Sequence, residues 1–239
     1  FTEKPVAWNL RETEEVAAAV KGSDRIVQVG YHKLYDPGFA FARDRIREMR
    51  DLAFVRVTVL HPTNELGLSP HRIRKGGGVI TEGHVDPGNF ADQVAMQREA
   101  FTGGALAPLV DEALGKKKGD LRLRLAFGHL TVSLIHNIYT LWALLGAPDE
   151  VLSAEAWREG MSIHIVLRYP GGVGCTLDWH WLSHLKDYRE EYAFWGNHDR
   201  VFRDWRSLYF LHFPIPVVVQ GGEGELAGEW GVMVSYEEA

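Results

Sequence analysis

Phe1-Thr2-Glu3-Lys4-Pro5 and, one helix later, Arg25-Ile26-Val27-Gln28-Val29-Gly30-Tyr31-His32-Lys33 are the stretches from which the fold is read. Between them Asn9 to Val20 predicts a helix: Val16 and Val20 stand four apart, and Glu12, Glu14 and Glu15 crowd the first turns, where carboxylates complement the helix dipole. Arg25 to Gly30 is a short β-branched run closed by glycine and predicts a buried strand. The order loop, helix, strand implies a further strand before Glu3, outside the chain. Pro5 restrains Lys4, because proline biases its predecessor away from the helical region. An X-Pro bond also admits the cis form at modest cost, which would aim the ammonium into a cleft.

Further along, Asp36-Pro37 opens a helix to about Met49, and Ala53 to Leu60 reads as a strand. Residues 61 to 83, with Gly76-Gly77-Gly78, read as an ordered loop or lid. Residues 89 to 114 are helical with a break near Gly103-Gly104. The helix carrying His136 ends at Gly146-Ala147-Pro148. Its apolar line Leu134, Ile138, Leu141, Leu145 commits one face to a core, and His136 lies off that line. Beyond it the pattern is β throughout: Val151 to Trp157, Ser162 to Tyr169, Gly174 to Trp181, Glu191 to Trp195, Arg200 to Arg203 and Val217 to Gln220. Turn residues separate these runs, which predicts an open, mainly antiparallel sheet.

At 239 residues, 46% hydrophobic and 24% charged, the chain can bury a sizeable core. No stretch is long and apolar enough to span a membrane. The lone Cys175 excludes an internal disulfide, which points to a reducing, cytoplasmic setting. The formal charge of −6 argues against nucleic acid as a partner. Up to residue 119 there are 17 basic and 16 acidic residues; after it, 9 and 16, so the second half has no basic stripe. Lys116-Lys117-Lys118 reads as a solvated helix end. No metal site is expected: no paired helical histidines have an acidic partner, and His180 with His184 straddles a strand end. Gly222-Glu223-Gly224 to Gly228 imitates a dinucleotide loop but reads as a hairpin, since its glutamates would oppose a pyrophosphate.

Glu3-Lys4-Pro5, then Gln28-Val29-Gly30-Tyr31-His32-Lys33 with Asp36-Pro37, then His136 on a helix closing at Gly146-Ala147-Pro148, together resemble the Gfo/Idh/MocA family of nicotinamide-dependent oxidoreductases. The resemblance is clearest over residues 1 to 60 and 128 to 200. It implies an α/β chain in which residues 1–50 are the C-terminal remnant of a dinucleotide-binding Rossmann domain. Residues 51–239 would then be an α+β substrate-binding and oligomerisation domain with an open, mainly antiparallel sheet. Both ends are read as truncated. The helix-free face of the sheet is expected to pair with another subunit, as homodimer or homotetramer, on the view that strands such as Gly174 to Trp181 are apolar on both faces.

The resemblance further implies NAD or NADP as cofactor and a sugar, polyol or related hydroxylated substrate. Lys4 and His136 become the catalytic pair. Alcohol oxidation must remove a hydroxyl proton as hydride leaves, so His136 is assigned as general acid/base and Lys4 as the substrate-orienting electrophile. By its residues alone His136 reads as a hydrogen-bonded helix histidine at a domain junction. Glu3, Lys4, Pro5 and His32 are the cofactor-binding candidates; Lys4, His32, Lys33, His136 and Asn137 are the substrate-binding candidates. Many family members carry an aspartate one helical turn before the histidine, where this chain has Val132, and that departure puts a standard polyol dehydrogenase activity in doubt. Two other readings stay open: a noncatalytic binding or dimerisation protein of the same fold, and a NAD-assisted glycoside hydrolase.

Overall fold

The computed structural model describes residues 1–63, 73–74, 80–81, 90–206, 215–221 and 224–230. Helix α1 (Leu10–Lys21) starts where Asn9 Oδ1 accepts the Glu12 amide at 2.8 Å and the Glu12 carboxylate accepts the Trp8 amide at 3.2 Å, a reciprocal cap. Helix α2 (Pro37–Glu48) starts on Asp36, whose carboxylate accepts the Phe39 amide at 2.8 Å, with proline in the first turn.

Between them the expected buried strand over Arg25 to Gly30 does not form. Thr2 alone pairs with Val29, through Thr2 N–H to Gln28 O and Gly30 N–H to Thr2 O, both 2.9 Å. A strand needs a neighbour along its length. With one bridge only, Ile26 is 94% exposed.

Strand β1 (Leu52–His61) follows. Two short strands, β2 (Ile73–Arg74) and β3 (Ile80–Thr81), pair with each other. Gly76-Gly77-Gly78 and the rest of the expected lid lie outside the described residues. Helices α3 (Phe90–Thr102) and α4 (Leu106–Leu114) are separated at Gly103-Gly104 as expected, Gly104 taking a φ of +60°. Helix α5 (Leu121–His129) passes through a π turn over Leu130–Leu134 into α6 (Ile135–Leu145). Gly128 lets α3 approach α5: a Cβ there would lie 2.5 Å from the Phe101 ring.

Strands β4 (Glu150–Trp157), β5 (Ser162–Tyr169), β6 (Val173–Trp181), β7 (Arg189–Gly196), β8 (Arg200–Arg206), β9 (Ile215–Gly221) and β10 (Gly224–Trp230) complete the sheet. Its order is β10-β9-β8-β7-β1-β6-β5-β4, and β1 with β6 is the one parallel pair among these eight. The chain is thus α/β with a mixed, mostly antiparallel open sheet. The β9–β10 pairing bears out the hairpin reading, although Gly222 and Glu223 lie outside the described residues.

One face of the sheet holds the core. Val55, Val57 and Val59 on β1 and Cys175, Leu177 and Trp179 on β6 are buried there with Leu125, Leu134 and Leu141 from the helices. The opposite face of β6 carries Thr176, Asp178 and His180, so this strand is apolar on one side only, not on both. The apolar line of α6 also needs correction: Leu134 and Leu141 are buried, but Ile138 is 36% exposed. The neighbouring buried positions are the polar His136, Asn137 and Thr140. A polar network beneath α6 accounts for that inversion.

Candidate active site

The Lys4-Pro5 peptide is cis, and Lys4 Nζ donates to the Val132 carbonyl at 2.5 Å. Val132 lies in the π turn, one turn before His136. The position from which the resemblance expects a carboxylate thus offers a backbone oxygen to the ammonium. Trp179 Nε1 donates to Ser133 Oγ at 3.0 Å, tying the same turn to β6.

His136 is 8% exposed, and its Nδ1 meets the Tyr139 hydroxyl at 2.8 Å. That hydroxyl accepts the Lys33 amide N–H at 3.4 Å and packs its ring on Tyr31, centroids 4.4 Å apart. With the Lys33 N–H already on the oxygen, we assign the tyrosine proton to Nδ1, which puts the His136 proton on Nε2. The His32 ring stands edge-on to His136 at 4.9 Å. Lys4, His32 and His136 are thus brought together, with Glu3 and Pro5 flanking the lysine.

Lys33 and Asn137 are placed differently. The Lys33 ammonium is 1% exposed and paired with Glu190, itself 0% exposed. Glu190 also accepts from the Tyr188 hydroxyl and, at 2.8 Å, from Tyr192. The Asn137 amide donates to the Tyr192 hydroxyl at 2.8 Å. Beside this, Arg203 pairs with Asp36 at 2.9 Å and stacks on Trp205, where the Lys33 ammonium also lies, 4.9 Å from the ring centre. These side chains form the floor under the site.

Burial, then the positive charge of Lys33 and Lys4, holds the His136 pKa far below the ordinary imidazole value. Burial likewise lowers His32, to about 4, with Lys33 next in effect. The Lys4 pKa is lowered, mostly by burial and further by Lys33, against Glu3, which raises it. The site therefore presents a neutral imidazole and an amine that gives up its proton more readily than a solvated lysine.

Sequence reasoning missed Tyr139, Glu190, Tyr192 and the Arg203–Asp36 pair. A signal exists for one group of them. Glu190, Tyr192 and Phe194 alternate along β7 and Tyr188 continues the alternation just before it, so a carboxylate occupies a core-facing position between two phenols. Tyr139 has a local signal too, since it stands one helical turn after His136, but its contact with Lys33 is distant in sequence.

No protein-family model and no curated protein matches the chain. Solved structures do. The dehydrogenase MviM from Clostridium difficile is 11% identical with a TM-score of 0.57, over 97% of this chain and 55% of that one. KijD10, a 3-ketoreductase from Actinomadura kijaniata in complex with NADP and TDP-benzene, is 13% identical with a TM-score of 0.55, over 98% and 57%. An oxidoreductase from Agrobacterium radiobacter in complex with NAD+, L-tartaric acid and magnesium is 11% identical with a TM-score of 0.59, over 98% and 55%. At such identities the likeness shows the fold. The chain spans just over half the length of these structures.

The N-termini of α1 and α2, where a pyrophosphate would be held, carry the carboxylates of Glu12 and Asp36, which oppose a phosphate.

Proposed function

We propose that this chain supplies the substrate-binding and proton-transferring part of a nicotinamide-dependent oxidoreductase acting on a sugar, polyol or related hydroxylated compound. NAD or NADP is the cofactor, accepting or giving hydride at the substrate carbon. The observation that carries the reading is Lys4 Nζ on the Val132 carbonyl, one turn from a buried His136 whose Nδ1 is held by Tyr139. The dehydrogenases and ketoreductase of like fold support the reaction class.

The burial of His136 beside two lysines favours a division of labour opposite to the one assigned from the resemblance. His136 resists a second proton, because burial, Lys33 and Lys4 all act against it. Its Nε2–H is a fixed neutral donor that orients the reacting oxygen. Lys4 carries the proton. In oxidation the carbinol carbon loses hydride to the nicotinamide while its hydroxyl proton passes to the neutral amine; in reduction the ammonium protonates the oxygen.

The test is hydride exchange, followed by nicotinamide absorbance across a panel of sugars and polyols with NAD+ and NADP+. Lys4→Met lowers turnover on the order of a hundredfold and removes the acid limb of the oxidation rate, the fall expected where Lys4 is protonated and cannot take the hydroxyl proton. His136→Asn keeps a neutral donor, so it lowers turnover less and leaves the limb in place. Near-normal turnover in Lys4→Met overturns the assignment. A noncatalytic binding protein is the second reading, favoured by Val132 standing where many members of the resembled family carry an aspartate. It is upheld if sugars bind and none exchanges hydride.

Self-association as homodimer or homotetramer remains part of the proposal. It is supported by Phe54 and Trp157, 38% and 40% exposed on the helix-free face, and sedimentation tests it.

A further inference from the structure

The turn that presents the Val132 carbonyl to Lys4 is not ordinary helix. Between α5 and α6 the chain takes a π turn over Leu130–Leu134, which fits one more residue into the turn than an α-helix does. Turns of this kind are rare inside α-helices, so this one is kept by contacts made outside the helix. One residue of helix is about 100° of rotation, and relaxing the turn to α would swing the Val132 carbonyl away from Lys4 Nζ, which it meets at 2.5 Å.

Two side chains of the turn are tied. Thr131 Oγ1 donates to the Phe127 carbonyl at 2.8 Å, within the same run of helix. Ser133 Oγ accepts the Trp179 indole N–H at 3.0 Å, which fastens the turn to β6. Trp179 is the fixed end of that bond. It is fully buried, its ring is stacked on His129 at 4.5 Å, and its strand is paired with β1 on one side and β5 on the other. An indole nitrogen has a single proton and accepts nothing, so Ser133 takes the one hydrogen bond that Trp179 can donate.

We propose that Ser133 and Trp179 are positioning residues for Lys4: their hydrogen bond holds the π turn against the sheet, and the turn holds the Val132 carbonyl where Lys4 Nζ can donate to it. This rests on the reading of Lys4 as proton carrier given above. The carbonyl favours the ammonium, because it only accepts. It acts there with Glu3 and against burial and Lys33, which favour the neutral amine. His32, His136 and His61 are the other titratable groups that sense Lys4, and burial holds all three below the ordinary imidazole value. Loss of the tie therefore has a signed consequence. The Lys4 ammonium gives up its proton at lower pH, and the amine, no longer held, stands less often at the reacting oxygen.

The test titrates Lys4 in the ¹³C-lysine-labelled 239-residue chain, following the Cε resonance that Lys4→Met removes. Ser133→Ala lowers the titration midpoint by about half a pH unit to one. Trp179→Phe, which removes the donor from the other end of the bond, moves it the same way. Ser133→Thr keeps a hydroxyl and restores the midpoint. In hydride exchange, Ser133→Ala lowers kcat roughly threefold to tenfold, leaves KM within about twofold and shifts the acid limb of oxidation to lower pH. A Lys4 midpoint unchanged in both Ser133→Ala and Trp179→Phe, or a Ser133→Thr that behaves as Ser133→Ala does, overturns the proposal. If the midpoint moves as stated and no hydride is exchanged, the positioning role stands and the oxidoreductase reading fails.

Discussion

Replacing Glu190 by Gln keeps the shape of the side chain and removes its charge from a place that water does not reach. Lys33 is 1% exposed and Glu190 0%, so the ammonium would be left buried against an amide NH₂ or a single carbonyl oxygen. Removing one partner of such a pair costs about 3–5 kcal/mol, because the remaining charge is uncompensated. Tyr188 and Tyr192 also lose a charged acceptor. Against a total stability of roughly 5–15 kcal/mol for a domain, the loss is large.

The pH dependence gives a second readout. Burial already lowers the Lys33 pKa and Glu190 raises it, so the variant lowers it further. Between that folded value and the unfolded value of about 10.4, the unfolded chain binds more protons. Stability of Glu190→Gln therefore rises with pH across this window, by up to about 1.4 kcal/mol per pH unit. Urea unfolding of both proteins at several pH values checks it. A loss below about 1 kcal/mol with no rise at alkaline pH would refute the buried pair, since exposed ion pairs contribute only that much. Lys33→Met combined with Glu190→Leu should recover most of the loss, as paired apolar replacements commonly do.

Acid should unfold the protein early. His32, His61, His129 and His136 all have pKa values lowered chiefly by burial, to about 4 for His32 and about 3 for His129. Below the unfolded value of about 6.5 the unfolded chain takes up protons that the folded chain does not, so stability falls as pH drops from there toward 4, at up to about 5 kcal/mol per unit for four such groups. Circular dichroism against pH checks this, and a plateau down to pH 5 would contradict it. Gly128→Ala forces the Phe101 ring aside and should cost about 1–3 kcal/mol in denaturant unfolding. Tyr139→Phe leaves His136 Nδ1 without its donor and should destabilise by about 1–3 kcal/mol while lowering turnover less than Lys4→Met does.

What the sequence made legible is local or periodic. Asp36-Pro37 announces α2 because a carboxylate cap and a fixed proline φ act within four residues. The strands after Val151 show themselves by alternation and turn residues. Arg25 to Gly30 failed because strand propensity does not supply a partner strand. Lys33 and Asn137 were read as substrate ligands because a polar residue beside a candidate site looks available. Their partners, Glu190 and Tyr192, lie far away in the chain and meet them only after the sheet forms.

The position of β1 carries a consequence for synthesis. This strand sits mid-sheet, yet both neighbours, β6 and β7, begin more than a hundred residues downstream of it. At about 5–20 residues per second on the ribosome, Val55, Val57 and Val59 emerge many seconds before either flank exists. During that interval a valine-rich segment offers two bare hydrogen-bonding edges to any passing chain. Nascent chains stalled between residues 62 and 172 are thus the form in which this protein is most prone to clump, and the form on which a chaperone has most to hold.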